Sequence, residues 1–311
     1  MNEDETGHLF ATLAGWLATG HAAAIATVVK TWGSAPRRAG AHLIVRDDGL
    51  FEGSVSGGCV EGEVIAEALA LLPEGKARLL AYGVADAAAW EVGLACGGQI
   101  EILVQPVAPR GFPAALIGRI EAERAAGRAL SITTDLEAGT SREGAEPGEG
   151  RFVNAYPPRL RLAVVGAVHI AQALLPMARM AGYQPLLIDP RALFGAEGRF
   201  AGEPVDSRWP DEALAEWRPD AASAIVTLTH DPKLDDPALT AALASPAFYI
   251  GALGSRRTHA RRLERLAEAG AAPDALARIH GPAGLPIGAA NPTEIAISVL
   301  AQMTAALRGA L

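Results

Sequence analysis

Residues 160–188, LRLAVVGAVHIAQALLPMARMAGYQPLLI, run from an apolar strand through a glycine into a helical span and on into a second apolar strand. That order dictates a βαβ unit, because parallel strands need a long crossover and a helix is the usual one. The alternation continues with AIVTLTH at 224–230, a helix around DPALTAALA, FYIGALG at 248–254, the helix THARRLERLAEAG and a closing helix from Pro292 to about Leu307. Continuous apolar runs of this length suit strands buried on both faces. Residues 151–311 are therefore expected to form a Rossmann-like parallel-sheet domain.

The preceding half lacks this alternation. LFATLAGWLATG at 9–20 carries Leu9, Leu13, Trp16 and Leu17 at helical spacing, with Gly20 as a stop. AAAIATVVKT at 22–31 and AHLIVRDDGLFEGSVSG at 41–57 read as strands, the latter folded at Asp47-Asp48-Gly49 like a hairpin. EGEVIAEALALL at 61–72 and PAALIGRIEAERAAGR read as helices, and ARLLAYG, GGQIEILVQPV and ALSITTDL as strands. Residues 1–150 are expected to form a mixed α+β domain, closed by a turn or linker at 137–150, EAGTSREGAEPGEG. A chain of 311 residues fits two domains, each of roughly 150 residues.

Composition narrows the functional classes. No window reaches the ~18 uninterrupted apolar residues of a membrane span, and the acidic start MNEDETGHLF is the opposite of a secretory signal. A soluble, cytoplasmic protein is expected. The chain holds two cysteines, Cys59 and Cys96, neither in a Cys-x-x-Cys pair, so free thiols are expected rather than a disulfide framework or a zinc site. A net charge of −8 argues against sequence-independent nucleic-acid binding. Small molecules or another protein are the expected partners.

Several segments carry candidate chemistry. SVSGGCVEGEV puts Cys59 after Gly57 and Gly58 and directly before a helix; a helix N-terminus lowers a thiol's pKa and favours the thiolate. Cys96 precedes a second glycine pair. Both cysteines read equally well as small buried side chains. Ser34, Arg37 and Arg38 in WGSAPRR offer an anion site or a solvated turn.

In the second half, Gly166-Ala167-Val168-His169-Ile170-Ala171 occupies the place of a dinucleotide fingerprint, but Val168 replaces the middle glycine, where its side chain would crowd a pyrophosphate. Asp189 stands roughly 20 residues further on, where an acid accepts a ribose hydroxyl. NAD(P) thus remains an option that Val168 weakens. Gly254, Ser255, Arg256 and Arg257 combine a glycine turn, a hydroxyl and guanidiniums at a helix start, which suits either a phosphate or a solvated helix end. His230 in THDPKLDD lies at the same sheet edge as a candidate ligand contact, with a helix-capping or turn role for Asp231-Pro232 as the equal alternative, and Asn291 with Glu294 reads first as a helix cap.

Together these segments resemble the XdhC/CoxI family, the xanthine dehydrogenase accessory proteins that mature molybdenum hydroxylases. VVKTWGSAPRRAGAHLIV, GSVSGGCVEGEV and GLACGGQIEILVQP resemble its N-terminal domain; VVGAVHIAQAL, IDPR, THDPKLD, YIGALGSRRTHARRL and GLPIGAANPTEIAISVLAQ resemble its Rossmann domain. The resemblance implies a chaperone rather than an enzyme. Such a protein binds the molybdenum cofactor (molybdopterin), protects it while molybdenum gains a sulfido ligand from a separate cysteine desulfurase, and inserts it into an apo-hydroxylase; a homodimer is implied as well. It assigns the cysteine motifs to Cys59 and Cys96, one of them near molybdenum, a thiophilic metal. The molybdopterin phosphate then falls to Gly254–Arg257 or to the Arg37 loop, with Gly58, Gly166, His169, Asp189 and His230 as further cofactor contacts. An NAD(P)-dependent oxidoreductase and a nucleotide-sensing Rossmann protein are the competing readings.

Overall fold

The computed structural model describes residues 5–33, 37–83, 98–191, 199–200 and 203–311. The chain divides into two compact units, Glu5–Pro158 and one beginning at Arg159. The division falls later than the expected 150/151 boundary because the stretch read as a linker is paired structure. It holds a short polar strand, Thr140–Glu143, that pairs with Leu130–Asp135.

The first unit contains α1 (Glu5–Ala18), β1 (Ala23–Trp32), β2 (His42–Arg46), β3 (Phe51–Gly53), α2 (Glu61–Leu71), β4 (Arg78–Tyr82), β5 (Gln99–Pro106), α3 (Ala114–Ala125), β6 (Leu130–Asp135), β7 (Thr140–Glu143) and β8 (Arg151–Tyr156). An antiparallel sheet has the order β3-β2-β1-β5-β4, and a second, three-stranded sheet has the order β7-β6-β8. Side chains on a strand alternate between faces, and β1 and β2 use both. Ile25 and Ile44 meet Leu9, Phe10, Leu13 and Trp16 of α1, whereas Ala24, Ala26, Val28, Leu43 and Val45 meet Val64, Ala68 and Leu71 of α2. The β2–β3 hairpin turns where the sequence predicts, with Gly49 at φ +89.

The second unit contains β9 (Leu160–Val165), α4 (His169–Met180), β10 (Tyr183–Ile188), β11 (Val205–Asp206), α5 (Pro210–Trp217), β12 (Ser223–Thr227), α6 (Pro232–Leu243), β13 (Tyr249–Ala252), α7 (Arg256–Glu268), α8 (Pro273–Leu276), β14 (Ile279–His280) and α9 (Pro292–Leu307). Its six strands are all parallel, in the order β11-β10-β9-β12-β13-β14. This is the doubly wound Rossmann order, whose switch point lies between β9 and β12. Leu162 and Val164 of β9 pack with α4 and α9 on one face; Ala163 and Val165 pack with α5, α6 and α7 on the other.

Helix starts follow the sequence signals. Asp231 Oδ1 caps α6 by accepting the Lys233 amide at 3.0 Å, and Asn291 Oδ1 caps α9 by accepting the Glu294 amide at 3.0 Å. Caps of this kind are each worth about 1 kcal/mol. Among the described residues no helix is long and apolar enough to cross a membrane.

Candidate functional site

The GGC segment is folded around a carboxylate. Val60 offers α2 no capping side chain, so the helix start is held by Ser56, whose Oγ accepts the amides of Cys59 at 3.0 Å and Val60 at 2.9 Å. Glu61, the first residue of α2, turns back across the loop. Its Oε1 accepts from Ser54 Oγ at 2.8 Å, the Ser56 amide at 2.9 Å and the Val55 amide at 3.2 Å. Its Oε2 accepts from the Gly58 amide at 2.8 Å and from Ser56 Oγ. Burial opposes ionisation of Glu61, but the hydrogen bonds from Ser56 and Ser54 outweigh it and hold the carboxyl at about 2.

Converging amides of this kind make an anion-binding nest. Here the protein's own side chain fills it, which fixes the turn that carries Cys59. Gly57 and Gly58 take φ +77 and +112, values that side-chain-bearing residues rarely adopt. A Cβ on Gly58 would meet open space, so backbone conformation and not crowding requires the glycine. Arg37 fastens the preceding loop to this one: its Nε donates to Ser54 O at 3.1 Å and its Nη2 pairs with Glu5. Cys59 is half-buried and packs against the core under α2. The result is a thiol on a rigid turn at a helix start, a geometry that can present a soft donor. Cys96 and Ser34 lie outside the described residues.

Elsewhere in this unit His42 is buried, with Nδ1 3.0 Å from Thr27 Oγ1 and Nε2 3.0 Å from the Tyr156 hydroxyl. Burial, assisted by the charge of Arg37, lowers its pKa to about 4. The cavity these side chains line is about 10 Å³, room for at most one water. It is a structural network, not a ligand site.

In the Rossmann unit the sequence candidates separate. Gly166, at φ +117, is required by close packing as well as conformation, since a Cβ there would stand 2.7 Å from Thr229 Cγ2. His169 opens α4 behind Val168. Asp189 is buried and already engaged: Oδ2 accepts the Ala167 amide at 2.8 Å and Arg191 Nη2 at 2.8 Å, and Oδ1 accepts Arg191 Nε at 2.9 Å. Burial works against its charge, yet Arg191 and the Ala167 amide hold its carboxyl below the usual range. The acid expected to meet a ribose is thus occupied by its own chain, and the NAD(P) option loses its main anchor.

Ser255 Oγ caps α7, accepting the Thr258 amide at 3.1 Å, while Arg256 and Arg257 are exposed in the first turn. His230 is exposed at φ +60, a left-handed conformation uncommon for a residue with a side chain. Arg257 and His230 meet at one cleft between α6 and α7; Ser255 and Arg256 do not line it.

Sequence reasoning missed Glu61. An acid in a helix's first turn reads as ordinary dipole compensation; its position three residues after Gly58 and five after Ser56 was the available signal.

The XdhC and CoxI family profile matches residues 16–83, and the XdhC Rossmann domain profile matches residues 162–303. The molybdenum cofactor insertion chaperone PaoD of Escherichia coli (strain K12) is 31% identical over 296 residues, spanning 92% of this chain and 84% of PaoD. The chain belongs to the XdhC and CoxI family. A probable xanthine dehydrogenase subunit from Bacillus subtilis (strain 168) is 26% identical over 317 residues, covering 90% of this chain and 92% of that protein. A crystal structure described as a xanthine dehydrogenase from Bacillus halodurans matches with a TM-score of 0.81 and 25% identity, covering 99% of this chain and 96% of that one. Within this XdhC and CoxI frame, the GGC loop falls inside the first matched segment, and Asp189, His230 and Arg257 fall inside the second.

Proposed function

We propose that this XdhC and CoxI family member binds the molybdenum cofactor and inserts it into the apo form of a xanthine dehydrogenase-type hydroxylase. The observation that carries the reading is Cys59, a half-buried thiol on a turn locked by Glu61 and Ser56 at the start of α2. A fixed thiol can approach a thiophilic metal without reorganising the loop, and a single soft contact suits a ligand that must later be released. Similarity to a protein named as a molybdenum cofactor insertion chaperone supports the same reading. The protein acts as a carrier, not an enzyme. It holds the cofactor while a cysteine desulfurase supplies the sulfido sulfur, and it works as a homodimer.

The experiment is reconstitution. Cofactor-loaded protein, mixed anaerobically with an apo-hydroxylase, activates it faster and further than an equal amount of free cofactor does. Equal activation by free cofactor would refute the carrier role.

A further inference from the structure

Helices α6 and α7, which follow on β12 and β13, border a cleft of about 230 Å³ lined by His230, Asp235, Arg257, Thr258, Arg261 and Arg262, among others. Ligands of open α/β sheets bind beyond the carboxyl ends of the strands, and the volume is well above the ~10–15 Å³ that holds one water. Arg257, Arg261 and Arg265 recur every four residues and so share a face of α7. Like charges at that spacing repel, and only part of the repulsion is answered within the chain. Arg265 is held by Asp236, its Nε at 2.6 Å and its Nη2 at 2.9 Å. Arg257 and Arg261 are exposed and have no side-chain hydrogen bond or ion pair among the described residues.

Arg262 supplies the second, independent observation. Its side chain is 2% exposed, and Nη2 donates to Leu253 O at 2.9 Å and to Asp235 Oδ2 at 3.3 Å. Its Nε and Nη1 are buried and have no hydrogen-bond partner among the described residues. Buried donors are normally satisfied, and charged ones most of all. A guanidinium with open donors beside two unpaired arginines is the donor set that oxyanions take up, often through paired N–H···O bonds.

We infer that the α6–α7 cleft is a second ligand site that takes a phosphate monoester, with Arg257, Arg261 and Arg262 as its cationic contacts. The site is displaced from the helix-terminus position that the sequence suggests, since Ser255 is spent on capping α7 and Arg256 lies outside the cleft. The inference stands on the cleft alone and holds whether or not the protein carries the molybdenum cofactor. Two sources can supply the phosphate: the terminal phosphate of that cofactor, and the phosphate of a free nucleotide.

Calorimetric titration with inorganic phosphate in a chloride buffer tests the site, using wild type, Arg257→Gln, Arg261→Gln and, as a control from the first unit, the exposed Arg110→Gln. Wild type and Arg110→Gln bind one phosphate per chain, and each cleft variant weakens binding at least ten-fold. Arg262→Lys, which keeps the buried charge, retains binding more fully than Arg262→Gln, and thermal melts establish that the variants are folded. No saturable heat with wild type, or unchanged binding in both Arg257→Gln and Arg261→Gln, would overturn the inference. Repeating the titration on cofactor-loaded protein and in the presence of AMP identifies the source: loss of phosphate uptake in the loaded protein assigns the cofactor's phosphate, and displacement by AMP assigns a nucleotide. Either result supports the cleft as a phosphate site.

Discussion

Glu61 Oε2 accepts the Gly58 amide at 2.8 Å, so a carboxylate at the start of α2 holds the glycine immediately before Cys59. The turn that presents the thiol is therefore set by a side chain two positions beyond it.

Replacing Glu61 with glutamine keeps the shape but removes the charge and turns part of the acceptor group into a donor facing amides. A buried donor left unsatisfied costs about 1–3 kcal/mol. Urea unfolding of Glu61→Gln is expected to show a loss in that range, and Cys59 is expected to react faster with an alkylating reagent. Unchanged stability and thiol reactivity would show that the carboxylate does not organise the loop.

Gly58→Ala and Gly62→Ala form a matched pair. Neither alanine meets a neighbour, because both sites are open. Only Gly58 has a positive φ, +112, whereas Gly62 lies in α2. Gly58→Ala should destabilise by roughly 1–3 kcal/mol, and Gly62→Ala should stabilise by up to about 1 kcal/mol. Equal effects in the two variants would refute the conformational explanation.

The fold of the second unit was legible because its strands are unbroken apolar runs separated by helical spans, a pattern that leaves few alternatives. The β7–β8 segment was not. Thr140–Glu143 is short and largely polar, and its strand form is fixed by pairing with β6, as in Thr134 opposite Ser141. Cys59's place ahead of a helix could be read from the glycines, while Glu61's grip on the loop depends on Ser54 and Ser56 folding back, which spacing hints at but does not determine. Likewise Arg257, Arg261 and Arg265 announce a basic face, yet nothing local says that Arg262 is buried with open donors.

His42 makes stability depend on pH. Its folded pKa of about 4 lies below its ordinary 6.5, so the unfolded chain binds the extra proton between those values. Stability is complete above pH 6.5 and falls as the pH drops toward 4, by about 3 kcal/mol in all. Glu61 acts lower: its contribution is present above its ordinary 4.5 and is lost as pH falls toward 2. Denaturant midpoints measured from pH 7.5 to 4 should fall in wild type and much less in His42→Gln. A parallel fall in both would assign the effect elsewhere.

The pairing of Asp189 with Arg191 and the Ala167 amide predicts that NAD, which carries no phosphate monoester, gives no saturable heat at millimolar concentration in calorimetry, and that any heat from the 2′-phosphate of NADP is unchanged in Asp189→Asn. Binding of either that Asp189→Asn weakens would mean that the pair opens for a ribose.

Contact between Cys59, on its Glu61-locked turn, and the molybdenum cofactor is decided by anaerobic titration with cofactor, followed by absorbance, for wild type beside Cys59→Ala and Cys96→Ala. Wild type is expected to bind saturably, and Cys59→Ala to bind at least ten-fold more weakly while still folded. Binding by Cys59→Ala equal to wild type would return Cys59 to a packing role and remove the contact on which the carrier reading rests.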